Sequence, residues 1–161
     1  MRNTLVVLRG LPGCGKSTWV KERGLEKCVL STDDLRVQFM LTDNRSLTEI
    51  EQKYDGPMFS MFYKQLELWM EYKLLVVVDA THLTTSSIAK YHKYVKKYNY
   101  RTIVVDFTFI PVEECKKRNA ARESYKVVPE EVIDRMVEDM NTSIIPTWVD
   151  KVIKFDEDMV F

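Results

Sequence analysis

Short apolar runs alternate along the chain with segments of mixed polarity. Continuous apolar runs at 5–8, 28–30 and 74–78 predict buried strands, 102–109 predicts a fourth strand, and 151–155 predicts a short last strand. Uninterrupted apolar sequence is typical of parallel strands that are covered on both faces. The pattern therefore predicts a central parallel sheet of four or five strands.

Helical periodicity is found between these runs. The predicted helices cover 16–23, 33–41, the region 58–69, 84–98, 111–121 and 129–140. Gly24 stands where a left-handed residue ends a helix, and Pro111 and Pro129 suit first helical turns. The polar segment 42–56 has no clear periodicity and receives no assignment.

The predicted helix at 84–98 is amphipathic. Its apolar residues Ile88, Tyr91, Val95 and Tyr98 share one face. Its lysines, Lys90, Lys93, Lys96 and Lys97, lie largely on the other. A solvated outer face explains these lysines better than a path for nucleic acid.

The order of these elements predicts the fold class. Strands that alternate with helices favour right-handed crossovers and a parallel sheet with helices on both faces, an α/β fold. A length of 161 residues with 45% hydrophobic content suits one domain, 1–161, with a sizeable core.

The turn after the first strand contains the clearest motif. Residues 10–17 read GLPGCGKS and match G-x-x-x-x-G-K-[ST], whose backbone amides surround the phosphates of a nucleoside triphosphate. Lys16 is expected to reach the β and γ phosphates and Ser17 to bind magnesium. The expected nucleotide-binding residues are Gly10, Leu11, Pro12, Gly13, Cys14, Gly15, Lys16, Ser17 and Thr18. Cys14 could be a reactive thiol, but a small packed residue is the favoured interpretation.

Acidic residues follow two of the predicted strands. Asp33 and Asp34 come after the second strand, and Arg36 lies on the helical face of Asp33, three residues further on. A carboxylate at this edge suits a general base, although one aspartate could instead cap the helix. Asp79 ends the most hydrophobic strand, from which it could reach magnesium directly or through water.

Four blocks of sequence resemble the P-loop 5′-hydroxyl polynucleotide kinases of phages and bacterial repair enzymes. These blocks are 10–19, 31–36, 78–83 and 117–122, the last followed by Val128-Pro129-Glu130. The resemblance implies a P-loop kinase fold with a helical lid, ATP as phosphate donor and Mg²⁺. It also implies that the acceptor is the 5′-hydroxyl end of DNA or RNA.

The resemblance also implies residue roles. Asp33 would be the general base, Arg36 would hold the phosphate on the 3′ side of the acceptor nucleotide, and Asp34, Thr81 and His82 would lie near the acceptor. Arg122 would stabilise the transferring phosphate, with Arg118 assisting it in the lid. The alternatives are a solvated helix face for the two arginines and a hydrogen-bonding loop role for His82, which is favoured over a proton shuttle.

Composition restricts the compartment and the partners. The 24 basic and 24 acidic residues cancel, so any contact with nucleic acid must be local. Three scattered cysteines suit a reducing, cytoplasmic compartment, and about five apolar residues near the N-terminus predict neither a signal peptide nor a membrane span. Kinases of a nucleoside, sugar acid or antibiotic, and a nucleotide-controlled switch, remain as alternatives.

Overall fold

The computed structural model describes residues 3–40 and 47–157. The strands are β1 (Asn3–Arg9), β2 (Val29–Ser31), β3 (Val76–Asp79), β4 (Tyr100–Asp106) and β5 (Lys151–Lys154). The helices are α1 (Lys16–Glu22), α2 (Thr32–Met40), α3 (Leu47–Glu71), α4 (Thr85–Ala89), α5 (His92–Tyr98), α6 (Val112–Ala120) and α7 (Glu130–Thr142). Short 3-10 turns lie at Glu26–Cys28 and Ser124–Lys126.

The five strands form one parallel sheet in the order β2-β3-β1-β4-β5. Alternate residues of the central strands point to opposite faces, so that Val6 and Leu8 join one apolar cluster while Leu5 and Val7 join another. The first cluster includes residues of α1, α6 and α7, and the second includes residues of α3, α4 and α5. The predicted α/β fold, with helices on both faces of a parallel sheet, is confirmed.

Two helical assignments differ from the structure. The predicted helix 84–98 is interrupted at Lys90 and Tyr91, and it forms α4 and α5. Its predicted apolar face is nevertheless buried, with Ile88, Tyr91 and Val95 all inaccessible or nearly so. Burial of this face does not require one uninterrupted helix, because the turn at 90–91 keeps helical backbone angles.

The larger difference concerns the unassigned segment 42–56. Its residues 47–56 form the first part of α3, which continues through Gly56 and Pro57, whereas 42–46, like Leu41, lie outside the described residues. Packing against α2 explains the helix: the rings of Phe39 and Tyr54 stack with centroids 4.7 Å apart, and Ile50 is fully buried. Tertiary contacts therefore outweigh the helix-breaking tendency of Gly-Pro.

Candidate phosphotransfer site

The glycine-rich loop joins the end of β1 to the start of α1. Gly13 has φ of 81° and Gly15 has φ of 101°, in the left-handed region that favours glycine. A Cβ on Gly13 would lie 2.4 Å from the Cys115 carbonyl oxygen and 2.9 Å from the Asn119 backbone nitrogen, so α6 packs directly against the loop. The motif thus adopts the expected position between a strand and a helix.

Lys16 lies back over this loop. Its Nζ donates hydrogen bonds to the carbonyl oxygens of Gly10, at 2.8 Å, and Leu11, at 3.1 Å. Cys14 is buried, and this burial raises the pKa of its thiol although nearby Lys16 acts in the opposite direction. These facts support Cys14 as a packed loop residue and not a reactive thiolate.

Strand β2 leads directly into α2, which carries the proposed base. The backbone N–H of Asp34 donates a hydrogen bond to Ser31 Oγ over 3.2 Å, so Ser31, and not an aspartate, caps this helix. Half of the Asp33 side chain is exposed, and its Oδ1 lies 2.9 Å from Arg36 Nη1. The carboxylate therefore combines solvent access with a fixed cationic neighbour.

Three carboxylates surround the Arg36 guanidinium. Besides Asp33, Asp55 accepts from Nε at 3.0 Å and from Nη2 at 3.2 Å, and Glu51 lies 3.8 Å away. Burial alone would lower the pKa of Arg36, but Asp55, Glu51 and Asp33 together raise it. Sequence reasoning missed Asp55 and Glu51 because they fall in the unassigned segment; their spacing of four residues was the available signal.

Asp79 lies at the carboxyl end of β3, in register with Leu8 of β1 and Ser31 of β2. Burial raises the pKa of its carboxyl, with Lys16 opposing this shift, Asp33 and Asp34 adding to it, and Arg122 opposing it. The side chains that act on Asp79 also line one cavity with it. The strand end thus brings the loop lysine, the aspartates of α2 and the lid arginine close to one carboxylate.

The residues present suit a magnesium ion bound together with nucleotide. Ser17 and Asp79 line the same cavity and supply oxygen donors, which Mg²⁺ prefers. Among residues 3–40 and 47–157, no three His, Cys, Asp or Glu side chains form a group that could hold a metal. A site completed by phosphate oxygens and water needs only one or two protein ligands.

Thr81 and His82 follow β3. The Thr81 carbonyl oxygen accepts a hydrogen bond from the Gly10 backbone N–H over 3.0 Å, which ties this segment to the glycine-rich loop. His82 Nδ1 donates to the Leu8 carbonyl oxygen at 2.6 Å, and its Nε2 accepts from the Tyr91 hydroxyl at 2.7 Å. Burial lowers the pKa of His82 from 6.5 to about 4. Both ring nitrogens are thus engaged inside the protein, as the loop interpretation expected, and neither remains for an acceptor.

The predicted lid region, residues 117–127, lies next to the glycine-rich loop. Arg118 Nη1 would lie 3.5 Å from a Cβ on Gly15, and Arg118 Nε donates to Glu114 Oε1 over 3.0 Å. Arg122 lies beyond the end of α6, so the helical face that carries Arg118 does not extend to it. Both nevertheless line the cavity.

Asn119 is a further lid residue that sequence reasoning did not single out. Its side-chain amide donates to the Val128 carbonyl oxygen at 2.8 Å and accepts from the Val128 backbone N–H at 3.0 Å. The side chain is buried, and these bonds join the two ends of the segment 120–127, which contains Arg122. The block 117–122 marked this region, but its pairing with Val128 depends on the fold.

A cavity of about 1200 Å³ connects these parts. It extends from the glycine-rich loop and the lid to the acidic start of α2 and the facing side of α3. Lys16, Ser17, Asp33, Arg36, Asp79 and Arg122 all line it. The structure therefore places a phosphate-binding loop and an accessible carboxylate around one space.

Solved structures show the same fold at low sequence identity. A candidate kinase from Chloroflexus aurantiacus matches with a TM-score of 0.72 and 13% identity, over 96% of this chain and 88% of that one. A gluconokinase from Sinorhizobium meliloti matches with a TM-score of 0.57 and 16% identity, over 98% of this chain and 86% of that one.

A chain of the Pnkp1/Rnl/Hen1 complex matches with a TM-score of 0.57 and 23% identity. The match covers 73% of this chain and 39% of that one, so the chain spans well under half of that neighbour.

Other comparisons concern sequence and membrane insertion. The curated proteins contain no significant match. Within the described residues, no helix combines the length and the apolar character needed to cross a bilayer.

A family model described as an AAA domain matches residues 5–144. The chain therefore belongs to this AAA domain family, and it has a P-loop kinase-like α/β fold.

Proposed function

We propose that this protein transfers the γ-phosphate of ATP to the 5′-hydroxyl end of DNA or RNA. The observation that carries the proposal is the shared cavity, in which Lys16 and Ser17 face the same space as the exposed carboxylate of Asp33. A nucleotide-controlled switch would need no such base beside the phosphate loop. The choice of a polynucleotide rests on the four sequence blocks and on Arg36 next to Asp33.

The arrangement supports an in-line transfer. Asp33 accepts the proton of the acceptor hydroxyl as the oxygen attacks the γ phosphorus and the bond from that phosphorus to the bridging β-phosphate oxygen breaks, releasing ADP. Lys16 and the loop amides hold the donor phosphates, and Arg122 faces the transferring group and stabilises its charge. Magnesium bound near Ser17 and Asp79 would neutralise further phosphate charge.

A small-molecule kinase is the second candidate, and one observation favours it. Asp33, Glu51 and Asp55 surround Arg36, so a polyanion that approaches this guanidinium also meets three carboxylates. An uncharged alcohol would avoid that repulsion. The two candidates differ in salt dependence, since binding of a polymeric acceptor weakens steeply as salt rises.

The test uses ATP labelled at the γ phosphate. Labelled product is expected with a 5′-hydroxyl oligonucleotide and not with its 5′-phosphorylated counterpart, while a set of small alcohols tests the second candidate. Label on a small alcohol but on neither oligonucleotide would replace the polynucleotide proposal with the small-molecule one.

Two substitutions test the proposed roles in this assay. Asp33→Ala should lower turnover by about 10²-fold or more, the usual scale of general-base catalysis, while ATP still binds. Lys16→Ala should stop transfer to every acceptor, because the charge on the moving phosphate loses its partner. Asp139→Ala, on the exposed face of α7, is the matched control and should behave as the unmodified protein. Normal turnover of Asp33→Ala would remove that residue from the mechanism.

A further inference from the structure

The acceptor side of the cavity has an aromatic wall that the phosphate chemistry does not require. Phe59 and Tyr63 lie one turn apart on α3 and both line the cavity. Their rings stack with centroids 6.1 Å apart and an interplanar angle of 25°. Tyr63 in turn stacks on Tyr94 at 5.8 Å, so neighbouring rings hold this wall in place.

Two cationic side chains lie over the Phe59 ring of this wall. The Arg36 guanidinium carbon and the Lys90 ammonium nitrogen each lie 5.9 Å from the Phe59 ring centroid. Lys90 is exposed, in the turn between α4 and α5, and lines the same cavity. The Phe59 ring is therefore a neighbour of two positive charges: the Arg36 guanidinium, which lies beside the proposed base, and the Lys90 ammonium.

The two cations differ in their neighbours. Arg36 is compensated by Asp33, Glu51 and Asp55, whereas no carboxylate within the described parts of the chain lies within 4.0 Å of Lys90. An ammonium without a carboxylate partner is available to an incoming anion. An aromatic ring beside it offers a surface on which any nucleobase can stack.

We propose that Phe59 and Lys90 form a subsite for the acceptor strand, in which a nucleobase stacks on Phe59 and a backbone phosphate pairs with Lys90. The inference rests on the proposed polynucleotide acceptor and identifies where the chain beyond the reacting sugar is held. Stacking on Phe59 reads no sequence, because every base has an aromatic face. The subsite thus accepts single-stranded ends of any sequence, and it lets this neutral protein bind a polyanion through a local contact.

The test measures both binding and transfer. Binding of a fluorescently labelled 5′-hydroxyl oligothymidylate is followed by anisotropy without ATP, and transfer is followed by steady-state kinetics. Phe59→Leu should weaken oligonucleotide binding and raise the oligonucleotide KM by about 5- to 150-fold, the usual range for loss of one stacked base. The KM for ATP should stay unchanged.

Further comparisons isolate each contact. Phe59→Leu should lose much of its effect on an oligonucleotide whose two 5′-terminal residues are abasic. Lys90→Gln should reduce the slope of log affinity against log salt by about 0.7, the value for one phosphate contact on a single strand. The matched controls are Phe109→Leu, an exposed phenylalanine elsewhere, and Lys96→Gln, an exposed lysine of α5.

The outcomes separate this subsite from the proposed function. If the oligonucleotide binds, with the stated losses in the variants, but receives no phosphate, the subsite stands and the polynucleotide kinase proposal fails. Normal binding and KM in both variants would overturn the subsite while leaving the kinase proposal intact. Absence of oligonucleotide binding by the unmodified protein would also overturn the subsite.

Discussion

At the level of single residues, the structure separates side chains that can react from those that position others. Asp33 is half exposed beside Arg36, whereas His82 is buried with both ring nitrogens hydrogen-bonded. The family resemblance placed His82 near the acceptor, whereas the position of Asp33 after a strand, at the carboxyl edge of the sheet, favoured it as the base. Their different surroundings make Asp33 suitable for proton transfer and give His82 a structural role between β1 and the turn before α5.

The burial of His82 predicts an acid-sensitive contribution to stability. Its folded pKa of about 4 lies below the ordinary value of 6.5, so this contribution is complete above pH 6.5 and is lost as pH falls towards 4. At roughly 1.4 kcal/mol per pKa unit, the loss is on the order of 3 kcal/mol. Urea unfolding, measured from pH 7 to pH 4.5, should show this loss of stability in the unmodified protein and a smaller loss in His82→Gln.

His92→Gln is the matched control, because His92 is the second of the two histidines. It should retain the pH dependence of the unmodified protein. If the free energy of unfolding changes equally with pH in the unmodified protein and in His82→Gln, burial of this imidazole does not contribute to the loss of stability in acid.

At the level of helices and loops, α3 and the lid show how contacts between elements shape the site. The first turns of α3 carry Glu51 and Asp55 to Arg36, and α6 is joined to the end of the lid by Asn119. Neither arrangement follows from periodicity, because each depends on where a second segment packs. The position of the cations in the site thus depends on contacts between segments that no single motif specifies.

The Asn119 amide is expected to position Arg122. Asn119→Leu removes two hydrogen bonds, which together contribute about 1–3 kcal/mol, and should speed tryptic cleavage after Arg122 and Lys126 while lowering turnover. Asn119→Asp keeps an acceptor for the Val128 N–H and should give an intermediate effect. Limited proteolysis and single-turnover kinetics measure the two results.

A double mutant separates positioning from general damage. In an Arg122→Ala background, Asn119→Leu should lower turnover little further, because the group that it positions is already absent. Fully additive losses would contradict a role for Asn119 through Arg122.

Gly56 and Pro57 are predicted to weaken α3. Proline within a helix removes a backbone hydrogen bond and can cost about 3 kcal/mol, and both residues are exposed. Pro57→Ala should therefore raise the free energy of unfolding by about 1–3 kcal/mol. Chemical denaturation provides the measurement, and an unchanged or lower stability would indicate that the helix requires the proline.

The effect of Gly56→Ala on the free energy of unfolding should depend on the next residue, Pro57. A Cβ at this position meets no atom within 4 Å outside the adjoining residues, but a side chain before proline disfavours helical backbone angles. We expect Gly56→Ala to raise the free energy of unfolding by about 0.5–1 kcal/mol in the Pro57→Ala background, and not to raise it when Pro57 is present. Equal gains in both backgrounds would show that the preceding-residue effect is absent here.

At the level of the whole molecule, the sheet brings distant parts of the sequence to one edge. The carboxyl ends of β1, β2 and β3 lie side by side, and they hold the glycine-rich loop, Asp33 and Asp79. Because this edge belongs to the core sheet, a ligand bound there should stabilise the entire fold.

Nucleotide binding is accordingly expected to raise the melting temperature. ATP with magnesium at 100 times its Kd contributes about 2.7 kcal/mol, which corresponds to roughly 5–10 °C for a chain of this size. Calorimetry at increasing ATP concentration measures the shift, and Lys16→Ala should reduce it markedly. An ATP-independent melting temperature for the unmodified protein would contradict nucleotide binding.

The amino-acid sequence was sufficient for features encoded in neighbouring residues. The apolar runs predicted the strands, and the motif at 10–17 predicted the phosphate loop, because both patterns express local backbone requirements. The order of strands and helices then predicted a parallel α/β sheet, since few other topologies are compatible with it.

The tertiary structure decided the features that join residues far apart in the chain. The helix at 47–56 forms against α2, Asp55 reaches Arg36 across 19 positions, and Asn119 binds the Val128 backbone. The free energies of such contacts depend on burial and mutual geometry, which no local pattern contains. The chemistry expected at the cavity was therefore readable along the chain, whereas its walls and its supporting contacts required the folded molecule.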